Sequence, residues 1–83
     1  MTNDEIIKKT AEVLAEEFEA DPALITPDAP LMETLDLDSL DLVDVVVLIN
    51  QHFGVTLKGP DFVGVKTFQD FYDLIIDRVN GSK

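Results

Sequence analysis

The sequence predicts an all-α domain of three main amphipathic helices and a long first connection. Apolar residues recur at helical spacing in three stretches. Each stretch opens on a side chain suited to cap a helix, and no two strong strand-like segments offer each other a partner. Eighty-three residues make one small domain, expected to span 1–83, too short for two cores and with a modest stability margin.

The first helix follows from Thr2 and Glu5, which have capping-box spacing, with Asp4 and Glu5 placed well for the positive end of the helix dipole. Ile6, Ile7, Thr10, Val13, Leu14 and Phe18 then form its apolar stripe, and Glu12, Glu16 and Glu19 fall on the wet side. Asp21-Pro22 stops the run. Residues 21–37 make a long connection with prolines at 22, 27 and 30. Leu24, Ile25, Leu31 and Leu35 are its expected anchors, so it reads as ordered and irregular.

The second helix is expected to take Asp38 as N-cap, Ser39 as its first residue and Asp41 as its third. Leu40, Val43, Val46, Val47, Asn50 and Phe53 make a helical stripe, and Gly54 can close the helix. Val43, Val45, Val46 and Val47 together cost on the order of 2 kcal/mol against alanine. A buried strand over Leu42–Ile49 is therefore a rival reading. Helix is favoured because cap, spacing and terminating glycine agree, although tertiary packing has to hold it.

Beyond Gly54, Val55-Thr56-Leu57 reads as a short extended stretch, Gly59-Pro60-Asp61 as a turn and residues 61–64 as one short helical turn. Thr67 and Asp70 repeat the cap spacing of the first helix. Phe68, Phe71, Tyr72, Ile75, Ile76 and Val79 give the cleanest stripe in the chain, and its aromatic residues are expected in the core. Asn80-Gly81 ends it.

Seventeen acidic against six basic side chains give a net charge of −11, which repels nucleic acid and anionic lipid. The 46% apolar content argues against disorder, leaving a folded acidic domain that meets basic protein surfaces. With no cysteine there is no disulfide, thiolate zinc site or thiol nucleophile, and no metal site is expected. Met1-Thr2-Asn3-Asp4-Glu5 lacks the start of a signal peptide, and the longest apolar run, Val45 to Ile49, has five residues. The expectation is a soluble, cytoplasmic protein with no membrane insertion. Lys8, Lys9 and Lys58 read as isolated surface charges.

Ser39 is poorly equipped as a nucleophile. The one histidine, His52, lies thirteen residues along the same helix, about 20 Å away at helical rise. A calcium loop counted from Asp36 meets Leu40 at position five, Asp41 at six and Val47 at twelve, and fails. An aspartate-nucleophile phosphatase needs a much larger α/β domain. No catalytic residue is expected, and Ser39 is better placed to be modified than to attack.

The segment Leu35-Asp36-Leu37-Asp38-Ser39-Leu40-Asp41-Leu42-Val43-Asp44 is similar to the phosphopantetheine attachment site of acyl carrier proteins. Ile25-Thr26-Pro27-Asp28-Ala29-Pro30-Leu31, Phe53-Gly54-Val55 and Lys66-Thr67-Phe68 also fall where that family has comparable segments, so the resemblance covers roughly residues 3–79. It implies a four-helix bundle with three main helices and one short helix. Ser39 would carry a covalent 4'-phosphopantetheine taken from coenzyme A by a phosphopantetheinyl transferase, with Asp38 as the helix cap beside it. The arm's thiol would hold acyl intermediates as thioesters for acyl-transferring and chain-elongating enzymes with basic docking patches. The protein would be a monomeric carrier and not an enzyme.

Two expectations join the resemblance to physics. A serine at a helix start places a phosphodiester near free backbone N–H groups, and a thinly filled bundle rich in Val, Ile and Leu could open to admit an acyl chain. Two departures narrow the partner set. Asp36 stands where many carriers have glycine, and Asn50-Gln51-His52 replaces an acidic cluster. Leu40, Asp41 and Asp44, with Val45 and Leu48 expected on the outer side, form the partner-binding set. His52 is expected to be solvated beside Phe53. The alternatives are a peptidyl or aryl carrier, or an acidic helical interaction module whose Ser39 is only part of a cap.

Overall fold

A capping box starts the first helix: the Glu5 N–H donates to Thr2 Oγ1 at 3.2 Å, and the Thr2 N–H to Glu5 Oε1 at 3.1 Å. In the computed structural model, which describes residues 2–81, this is α1 (Asn3–Glu17), followed by α2 (Leu31–Thr34), α3 (Asp41–Phe53) and α4 (Phe68–Gly81). Short 3₁₀ turns occupy Pro22–Leu24 and Gly59–Phe62, and among the described residues the only bridge of β type is the isolated pair Pro30 and Thr67. The all-α class and the plan of three long helices and one short one are those expected. The expected domain limits, 1 and 83, lie outside the described residues.

The short α-helix is α2, inside the first connection, where no helix was expected. Residues 61–64 were expected to form the short turn; the observed 3₁₀ turn is Gly59–Phe62. Both α1 and α2 end with a left-handed residue after the C-cap, Glu19 and Asp36, each at φ 53°. For α2 the motif is complete: the Leu37 N–H reaches Met32 O at 2.8 Å and the Asp36 N–H reaches Glu33 O at 3.3 Å. Hence the place where the sequence departs from glycine is one where the backbone favours glycine.

Helix α1 packs against both α3 and α4. The first connection is sewn to the start of α4, where the Phe68 N–H donates to Ala29 O at 3.1 Å and the Gln69 N–H to Pro27 O at 3.0 Å. The opening donors of α4 are thus satisfied by the loop it holds. Ile25, Leu31 and Leu35 are buried anchors as expected, whereas Leu24 is 58% exposed because the 3₁₀ turn carries it outward.

On α4 the expected stripe is the core, with Phe68, Phe71, Tyr72 and Ile75 all buried. On α3 it is not. The buried residues are Val45, Leu48 and Ile49, while Leu40, Val43 and Val47 are exposed. The valines do not make a strand; α3 is a helix, rotated so that a different apolar line faces inward.

Lys9 is no isolated charge. Its ammonium lies 5.4 Å from the Phe53 ring centroid and donates to the His52 carbonyl at 3.3 Å, closing the C-terminal end of α3. The His52 side chain is exposed beside Phe53.

Candidate functional site

Asp38 and Asp41 build the site by capping each other. Asp38 Oδ1 accepts from the N–H of Leu40 at 2.9 Å and of Asp41 at 3.0 Å, and Asp41 Oδ2 accepts from the Asp38 N–H at 3.1 Å. This is a capping box with aspartate at both ends. Regular α-helix begins only at Asp41, two residues later than expected, because the Val43 N–H turns to Leu40 O in a tighter bond. Ser39 therefore sits on the turn between the box's two carboxylates, exposed to solvent. Asp38 has the expected capping role.

Several of the donors around this turn are taken. Besides the two bonds to Asp38 Oδ1, the Leu42 N–H donates to Asp38 O at 3.3 Å. A phosphate on Ser39 would find these three N–H groups occupied and a carboxylate beside it, so fewer donors are open to it than expected. The serine nonetheless fits a bulky substituent. Its exposed turn leaves room for an attached group, and His52 lies at the far end of α3. What the site offers chemically is access.

Of the expected partner-facing residues, Leu40 is 77% exposed and Asp44 is exposed, while Asp41 is half-buried with one oxygen committed to the cap. Val45 and Leu48 are not on the outer side: they are 0% and 8% exposed and belong to the core. Their places are taken by Val43 and Val47, 62% and 49% exposed, which continue from Leu40 along one line of the helix. A signal was available. Leu42, Val45, Val46, Ile49 and Phe53 form an unbroken apolar line, whereas the line through Leu40 contains Asn50. Among the described residues, no helix is long and apolar enough to cross a membrane.

The geometry presents one capped, solvent-facing serine with room for an attached group, beside an exposed apolar line. The comparisons with known proteins make this specific. The family model for the phosphopantetheine attachment site matches residues 8–75. Acyl carrier protein 2 of Ralstonia nicotianae is 40% identical over 70 residues, covering 84% of this chain and 86% of the relative. The acyl carrier protein of Petrotoga mobilis is 32% identical over 80 residues, covering 96% and 94%. The meromycolate extension acyl carrier protein of Mycobacterium leprae is 34% identical over 70 residues, covering 84% of this chain and 61% of that protein. The chain belongs to the phosphopantetheine attachment-site family, as one of its acyl carrier proteins. Its prosthetic group is a covalently attached 4'-phosphopantetheine. This is a family of carriers that work with biosynthetic enzymes and are not in general catalysts.

Proposed function

We propose that Ser39 is the attachment residue and that the chain, from roughly residue 3 to 79, is one carrier domain serving fatty-acid or related lipid biosynthesis in the cytoplasm. The observation that carries this reading is the exposed Ser39 set inside the reciprocal Asp38–Asp41 cap. A phosphopantetheinyl transferase would deliver the arm from coenzyme A: Ser39 Oγ, losing its proton, bonds to the pantetheine-bearing phosphorus as the pyrophosphate P–O bond breaks and adenosine 3',5'-bisphosphate leaves, so that the arm is held as a phosphodiester. Once attached, the group supplies a terminal thiol that holds acyl groups as thioesters.

The chain's own residues then do three things. Asp38 and Asp41 hold the turn so that Ser39 keeps one presentation to every partner. Leu40, Val43 and Val47 offer an apolar line for the partner enzyme to cover. Asp44 and the acidic surface steer basic docking patches into place, which speeds encounter more than it slows departure. Such contact suits a shuttle that has to leave each enzyme. The chain performs no step of the acyl chemistry itself.

Incubating the protein with coenzyme A and a broad-specificity phosphopantetheinyl transferase should add one phosphopantetheine to its intact mass, and Ser39→Ala should take up none. A folded wild type that stays unmodified, or an increment that survives Ser39→Ala, would refute the assignment.

A further inference from the structure

Four aromatic rings are set into an otherwise aliphatic core. Phe62 and Phe71 stack with centroids 5.9 Å apart and planes 26° from parallel, and Phe68 meets Tyr72 at 6.3 Å. Phe68 and Phe71 are fully buried, Tyr72 is 2% exposed and Phe62 9%. Three of these rings come from one face of α4. The fourth is carried in by the Gly59–Phe62 turn, whose Asp61 is tied at both carboxylate oxygens. Asp61 Oδ2 accepts from the Lys58 N–H at 2.8 Å, and Oδ1 accepts from Arg78 Nη2 on α4. Displacing the Phe62 ring therefore means moving a turn that is itself pinned to the helix supplying Phe71.

A depression between α1 and the first connection has an apolar floor of Ala11, Ala15, Ala20 and Pro22 under Lys8, Glu12 and Glu16, but two other seams are less suited to an alkyl chain. The depression between α1 and α3 is rimmed by Glu16, Glu17 and His52, and the one beside the second connection opens onto Arg78. An apolar chain entering at either point has to pass charged groups, then separate the stacked Phe62 and Phe71 rings.

We propose that Phe62 and Phe71 act together as a plug that keeps the acyl cargo outside the bundle, so that this carrier is built for short or polar acyl groups. This rests on the attachment reading above. A long alkyl chain held in water would lose the burial that favours its uptake, whereas a short or polar one loses little. Phe62 and Phe71 are then specificity-determining residues although neither touches the arm.

Wild type and Phe62→Leu would be loaded by the transferase with acetyl-, butyryl- and octanoyl-phosphopantetheine, and thermal midpoints compared with those of the forms bearing the bare arm. A parallel set would use Ser39→Cys, unique in a chain without cysteine, alkylated with maleimide-linked pantetheine bearing the same acyl groups. Phe71→Ala would be included as the larger opening, since an apolar cavity of about 150 Å³ accepts a benzene-sized guest. The expected result is a wild-type midpoint that does not rise with chain length, and an octanoyl-dependent rise of about 4–8 °C in a plug variant. A wild-type midpoint climbing from acetyl to octanoyl, with matching shifts of core amide resonances, would overturn the plug. Failure of the transferase to load Ser39 would instead strike the attachment reading, and the cysteine-loaded set would still decide the plug.

Discussion

Helices α3 and α4 are nearly equal in length, 13 and 14 residues, and both pack on α1, yet they relate to their sequences in opposite ways. In α4 the apolar residues suffice for one face, so Phe68, Phe71, Tyr72 and Ile75 go inward and Gln69, Asp73 and Asp77 outward. In α3 apolar residues surround almost the whole first half. Only part of them can be buried, and Leu40, Val43 and Val47 remain outside beside Ser39. A surplus of apolar side chains on a helix whose inward face is already full points to a surface meant to be covered by something else.

The comparison can be broken most directly in the core of α4. Phe71→Ala should cost about 3–5 kcal/mol in urea denaturation, enough to unfold much of so small a domain. A loss below roughly 1 kcal/mol would show that the aromatic layer does not hold the bundle.

Within α3, two valines two residues apart should behave differently. Val45→Ala should destabilise by about 2 kcal/mol, whereas Val47→Ala should stay within about 0.5 kcal/mol of wild type. The ranking reverses in a transferase assay. Val47→Asp should lower kcat/KM by about tenfold, the effect of one lost valine contact, with no change in thermal midpoint that explains it. Equal effects of the two positions on stability would mean that α3 is rotated differently.

The carboxylates that cap the helices set the response to acid. Asp70 is held below its ordinary value of 3.8 by the Lys66 and Thr67 N–H groups, Asp61 by the Lys58 N–H and then Arg78, and Glu5, ordinarily at 4.5, by the Thr2 N–H and hydroxyl. Between the lowered and ordinary values the unfolded chain binds more protons than the folded one. Their contribution is therefore complete above about pH 4.5 and lost as pH falls through 3.8 and below. Opposing this, a net charge of −11 repels itself at neutral pH. The denaturation midpoint should thus pass through a maximum in mildly acidic solution, and added salt should raise it at pH 7. A stability that climbs steadily below pH 4 would contradict the capping bonds.

The smallest effect is expected at the left-handed end of α2. Asp36→Gly relieves a backbone at φ 53° but frees the unfolded chain, for a net gain below about 1 kcal/mol. Phosphopantetheine loading of Ser39 should not change, because the Asp38–Asp41 box that presents it is intact.

Much of this was legible in the residues. Thr2 with Glu5, Asp38 with Asp41, and Thr67 with Asp70 announce helix starts because a cap is local chemistry, decided within four residues. The all-α class, the stripe on α4 and the capped turn bearing Ser39 follow from the sequence alone for that reason. The side of α3 that faces inward did not, since Leu40 to Ile49 satisfies more than one apolar line and only packing against α1 chooses between them. Nor did the Lys9 cap on the His52 carbonyl, the Asp61–Arg78 tie or the Phe62–Phe71 stack, whose partners are brought together across the fold. The sequence by itself determined the helices, their caps and the serine they present. The tertiary structure decided which apolar residues were left over for a partner, because rotation about a helix axis is a property of what the helix packs against.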